Sequence, residues 1–69
     1  SSDLVTFQFG KHLAVFAGGH GSIGCVCMTY QDWIDQGEMI GKENNYTDEE
    51  IQRYMRWIKD AIEWLTDAD

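Results

Sequence analysis

The hydrophobic period of this chain changes once, and the change limits what each part can become. Between Leu4 and Thr29 apolar runs alternate and glycine interrupts every few positions; after Thr47 apolar residues recur at helical spacing, with no Gly or Pro through Ala68. Period 2 belongs to strands and period 3.6 to helices. Strands therefore come first and a helix last. In Leu4-Val5-Thr6-Phe7-Gln8-Phe9, residues Val5, Phe7 and Phe9 share one face, with Thr6 and Gln8 on the other. His12 to Ala17 is a second apolar run after a turn at Gly10-Lys11. A two-residue loop pairs Phe9 with His12. A three-residue loop pairs Phe9–Leu13, Phe7–Val15 and Val5–Ala17, which gathers one continuous apolar face, so that register is expected. Gly18-Gly19-His20-Gly21-Ser22 reads as the next turn and Ile23 to Thr29 as a third strand.

Thr47-Asp48-Glu49-Glu50 is a capping box, with Thr47 as N-cap and Glu50 at the third helical position. Ile51, Tyr54, Met55, Ile58, Ile62 and Leu65 follow on one side, with Trp57 and Trp64 at its edge. This helix, about residues 48–66, is expected on the Val5/Phe7/Phe9 face. Thr29 can cap a short helix, Tyr30 to Gln36, that stops at Gly37; Gly41 to Asn45 then reads as a polar loop. The fold class is α+β: a three-stranded antiparallel meander, strands about 4–9, 13–17 and 23–29, against a long C-terminal helix. Its 69 residues make a single domain that buries only ~60% of its unfolded surface.

Several chemistries are excluded. Gly19-His20-Gly21-Ser22-Ile23-Gly24 fits the G-x-G-x-x-G string, but a dinucleotide site needs a strand before it and a helix after it, and Cys25-Val26-Cys27-Met28 reads as strand. His12, His20, Cys25 and Cys27 are zinc-type ligands. However, the cysteines are one residue apart in mid-strand, where they are expected as buried apolar residues. Ser22 beside His20 is the only local nucleophile–base pair, on an expected exposed turn. The chain is therefore expected to be no enzyme, with no catalytic residues, cofactor or metal. Two cysteines are too few for a disulfide framework, and no apolar run approaches a membrane span or signal peptide, so a cytoplasmic location is expected.

Charge follows the same division as the period. Eleven of the twelve acids lie between Asp32 and Asp69, and residues 31–69 carry the entire net charge of −7. Asp48, Glu49 and Glu50 suit the positive end of the helix dipole, and Glu49–Arg53, Arg56–Asp60 and Lys59–Glu63 have i,i+4 spacing. Glu63, Asp67 and Asp69 face the negative end with no Lys or Arg after Lys59. Each such placement costs ~0.3–1 kcal/mol at low salt, so these acids oppose helix stability. Asp32, Asp35, Glu38 and Glu43 form a second acidic group. Trp57 and Trp64, with Trp33 nearby, combine core-rim character with the residue type most enriched in binding hot spots. The expected register also places several of Phe16, Val26, Met28 and Tyr30 on the sheet's second face. Segment 30–40 could cover that face; if it does not, a dimer or a partner is implied.

Phosphate contacts require basic patches, so direct nucleic-acid binding is excluded, whereas a carboxylate array can enter a basic groove that normally holds nucleic acid. In its compact size, its −7 charge and the acids at Asp32–Glu43 and Asp48–Asp69, the chain resembles small acidic phage-encoded inhibitors of bacterial defence, the anti-CRISPR and anti-restriction proteins, several of which mimic DNA. The resemblance is one of overall character and carries no shared motif. It implies a viral inhibitor acting in the bacterial host cytoplasm on a protein with a basic nucleic-acid channel, such as a CRISPR effector, as monomer or homodimer. Asp60, Glu63 and Asp67 are the expected principal contacts, supported by Asp32, Asp35 and Glu38. The competing expectation is a non-enzymatic interaction module using Trp57, Trp64 and an apolar sheet face.

Overall fold

A glycine with positive φ opens each of three two-residue loops, and those loops determine the sheet. The computed structural model describes residues 3–67. Its elements are β1 (Val5–Phe9), β2 (His12–Ala17), β3 (His20–Ile23), β4 (Val26–Thr29), α1 (Tyr30–Glu43) and α2 (Asp48–Asp67). The strands form one antiparallel sheet in the order β1-β2-β3-β4, and both helices follow it in the chain. The class is α+β, with four strands and two helices where the sequence led us to expect three strands, a long C-terminal helix and at most a short helix over 30–36.

The extra strand comes from turn chemistry. Gly10 has φ 61° and Lys11 lies outside the left-handed region, so the first loop has only two residues and pairs Phe9 with His12. Phe7 then pairs with Ala14 and Val5 with Phe16, in place of the expected Val15 and Ala17. A one-residue slip turns every side chain of β2 over. Ala14 and Phe16 are fully buried, whereas Leu13 is 59% exposed. Phe16, Val26, Met28 and Tyr30 thus belong to the same core as Val5, Phe7 and Phe9, not to a second face. Gly18-Gly19 closes the second hairpin and Gly24-Cys25 the third, so His20 to Ile23 is strand and Cys25 is a turn residue. Both cysteines are exposed, contrary to the buried role expected of them. Ser22 and His20 lie on β3 and not in a turn.

Thr29 caps α1 as expected, its Oγ1 accepting from the Asp32 N–H at 3.2 Å. The helix does not stop at Gly37 but continues through Gly41 to Glu43. Two buried glycines in a helix each cost ~1 kcal/mol in propensity. Packing explains their presence: a Cβ on Gly37 would stand 2.7 Å from Met55 Sδ, and one on Gly41 would stand 3.1 Å from Ile51 Cγ1. The missing side chains let α1 approach α2 closely. Asn45, at φ 63°, ends α1. The Tyr46 N–H donates back to the Gly41 carbonyl and the Asn45 N–H to that of Lys42, both orphan acceptors of the last turn. Thr47 and Glu50 then form the expected capping box. The Thr47 N–H donates to Glu50 Oε1 at 2.8 Å and the Glu50 N–H to Thr47 Oγ1 at 3.1 Å.

One core joins sheet and helices. Phe9, Ala14, Phe16 and Ile23 meet Trp33 from α1 and Tyr54, Ile58, Ala61 and Ile62 from α2. The Phe9 ring packs on Tyr54 and Trp57, which places α2 on the Val5/Phe7/Phe9 face as the periodicity required. Trp33 is fully buried, with its Nε1–H donating to the Gly21 carbonyl at 2.6 Å. The opposite sheet face bears Thr6, Gln8, Leu13, Val15, Ala17, His20, Ser22, Cys27 and Thr29, with no Asp, Glu, Lys or Arg among them.

Candidate acidic interface on the two helices

Glu63, one of the acids that oppose helix stability, is brought together with acids from the other helix. A groove between α1 and α2 is lined by Asp35 and Glu38 from α1 and by Asp60 and Glu63 from α2, with Ile34, Ile51 and Met55 also contributing. Asp60 and Glu63 also line a second depression, of about 520 Å³, together with Trp64 and Asp67. The two features share these residues and form one continuous surface. It exists because α1 persists through Gly37, which carries Glu38 onto helix and turns it toward the same groove as Asp35.

Neutralisation differs along this surface. Glu38 faces Lys42 at 3.8 Å, both side chains being well exposed, and Asp35 accepts from Gln31 Nε2 at 3.1 Å. Arg56 and Lys59 also line the groove, so its four carboxylates are opposed by two cations. Glu49–Arg53, Arg56–Asp60 and Lys59–Glu63 keep their i,i+4 spacing, but none closes into an ion pair; among the described residues Lys42–Glu38 does. The Trp64 depression has no cation in its lining, and the last turn of α2 holds no basic residue. Asp67 thus lies outside the groove that holds the cations, while Asp60 and Glu63 stand between that groove and the cation-free depression. Asp69 lies outside the described residues.

Other expected contacts are dispersed. Asp32 sits in the first turn of α1, where its N–H meets the Thr29 cap, and it does not line the groove. Trp33 is core. Trp57 packs edge-on against Phe7 and Phe9, with ring centroids at 5.7 and 5.3 Å, and is 38% exposed. Trp64 is 58% exposed and pairs with no other ring among the described residues. The two tryptophans therefore separate into a rim residue and a surface residue. Ile34 and the cations Arg56 and Lys59 were not anticipated as groove residues. For Arg56 and Lys59 the i,i+4 ladder offered a simpler role, and Ile34 lay on a helix expected to end too soon.

Burial and hydrogen bonding perturb three groups. Burial, then the charge field of Tyr46, pushes the Tyr54 hydroxyl up to about 12. Tyr46 is raised by burial and by Glu50. Glu50 is held below the usual carboxylate range, chiefly by the Thr47 N–H. All three lie at the α1–α2 hairpin, away from Asp60, Glu63 and Asp67. Among the described residues no three His, Cys, Asp or Glu side chains gather as metal ligands, and no helix is long and apolar enough to cross a membrane. No family model, curated protein or solved structure matches this chain.

Proposed function

We propose that this protein is a stoichiometric inhibitor that occupies a basic nucleic-acid-binding surface on a bacterial defence effector, as a mimic of DNA. The observation that carries the reading is the trio Asp60, Glu63 and Asp67, which line a depression with no cation in its lining and are extended across the groove by Asp35 and Glu38. With a rise of ~1.5 Å per residue, the trio stands at axial intervals of roughly 4.5 and 6 Å. A DNA strand presents one charge per ~3.4 Å of axis, so the helix offers a sparser row of the same sign. Rigid carboxylates steer a basic partner and compete for its phosphate sites. Inhibition then requires occupancy and no bond-making step.

The direct test is capture of a nucleic-acid-handling effector from bacterial lysate at low and high salt, with Glu63→Lys and Asp67→Lys as the variant pair. Capture and inhibition should be lost in the variant while its circular dichroism is unchanged. Salt-insensitive capture would sink the mimic. A second reading is favoured by the outer sheet face, which has no Asp, Glu, Lys or Arg and where Leu13 is 59% exposed. On that reading a partner binds the sheet face together with Trp57 and Trp64. Leu13→Asp would then abolish capture and charge reversal on α2 would not.

A further inference from the structure

Trp64 is the large aromatic side chain that the fold leaves most open to solvent, at 58% exposure. Its neighbours along α2 are Asp60 at i−4 and Asp67 at i+3, and with Glu63 these four line one depression. No Lys or Arg lines this depression, although Arg56 and Lys59 line the adjoining groove with Asp60 and Glu63. The contrast lies two turns and more toward the N-terminus, where the Arg53 guanidinium stands 5.9 Å from the centre of the Phe9 ring. Phe9 thus has an internal cation, whereas Trp64 has three carboxylates beside a largely exposed ring.

We infer that Trp64, Asp60, Glu63 and Asp67 form a receptor for a single arginine side chain of the partner. This rests on the reading that the acidic surface meets a basic one, and it names the contact that anchors it. A planar guanidinium can stack on an indole face while its N–H fork donates to carboxylates beside the ring. Asp60 and Asp67 stand on either side of Trp64 along the helix, which suits a fork whose donors point outward in the plane of the ring. An ammonium offers charge without the planar stack, so lysine is the weaker occupant. A phosphate or an anionic peptide is repelled by all three acids.

The test uses the ¹⁵N-labelled full chain titrated with hexa-arginine and hexa-lysine peptides at low salt, following the three indole N–H resonances by NMR. Trp64 should shift saturably with hexa-arginine while Trp33 and Trp57 hold still, and hexa-arginine should bind about threefold tighter than hexa-lysine. Trp64→Ala should weaken hexa-arginine about tenfold and hexa-lysine little, with Trp64→Phe retaining most of the affinity. Equal affinity for the two peptides with an unmoved Trp64 overturns the arginine site while leaving the acidic-surface reading intact. Failure of both peptides to bind, with Glu63→Lys making no difference, overturns both.

Discussion

Tyr54 shows how a single buried group ties the fold to pH. Its ring is almost wholly enclosed between Phe9 and Tyr46, at centroid distances of 5.3 and 5.4 Å. Burial favours the neutral phenol, so the folded value of about 12 stands above the ordinary tyrosine value of 10.0. A group that holds its proton more tightly when folded contributes stability that is complete below the unfolded value and lost as pH rises through the folded one. Unfolding should therefore become easier between about pH 10 and 12, and Tyr54→Phe should flatten that limb. Chemical denaturation midpoints of the two proteins across that range check it; parallel curves would remove Tyr54 as the cause. Glu50 works in the opposite sense. Its lowered carboxyl contributes above its unfolded value and loses that contribution as pH falls.

At the scale of elements, the helical hairpin depends on two absent side chains. Gly37→Ala brings a methyl against Met55 Sδ, the flexible end of a side chain that can swing aside, and it regains ~1 kcal/mol of helix propensity. The variant should melt within a few degrees of the parent. Gly37→Leu cannot be accommodated by Met55 alone and should cost about 2 kcal/mol, seen as a fall in Tm of roughly 8–16 °C. A Gly37→Leu protein as stable as the parent would show that the helices do not need to be this close. These glycines also mark where the sequence was hardest to read. Taken locally, Gly37 is a helix stop; only the partner helix shows that its lack of a side chain is required there. The Thr47–Glu50 box was legible because both its residues lie in one turn. The register of β2 was not legible, because Leu13, Val15 and Ala17 make as apolar a stripe as His12, Ala14 and Phe16. The choice between them fell to the conformation of Gly10. The acidic site was half legible: the dipole argument isolated Glu63 and Asp67, and Asp60 came from the same helix face. The groove shared with Asp35 and Glu38 needed the full length of α1.

Across the whole molecule, the charge is segregated between two faces of a single layered structure. The outer sheet face carries no Asp, Glu, Lys or Arg, while the helices hold eleven acids less Asp69 among the described residues. Salt should therefore act with opposite sign on the fold and on its complex. Within the monomer the net charge of −7 is self-repulsive, and the favourable terms that screening would erase are few. These are the first-turn acids of both helices, Lys42 in the last turn of α1 with its Glu38 pair, and Arg56 and Lys59 beside the groove acids. Raising ionic strength from 0.01 to 0.1 M shortens the Debye length from ~30 to ~10 Å, which quiets repulsion between acids on neighbouring helices. The expected gain is about 1 kcal/mol, or a Tm higher by roughly 4–8 °C. Over the same range an interface built on Asp60, Glu63 and Asp67 should lose on the order of tenfold in affinity for a basic partner. Thermal melts and binding isotherms in matched buffers read both effects together. If binding weakened while the fold also lost stability, salt would be acting on the folded protein, and the acids would be supporting the helix they stand on. If the fold gains while the complex weakens, Glu63 and Asp67 cost the monomer stability that only binding recovers. That combination is expected of residues placed for a partner.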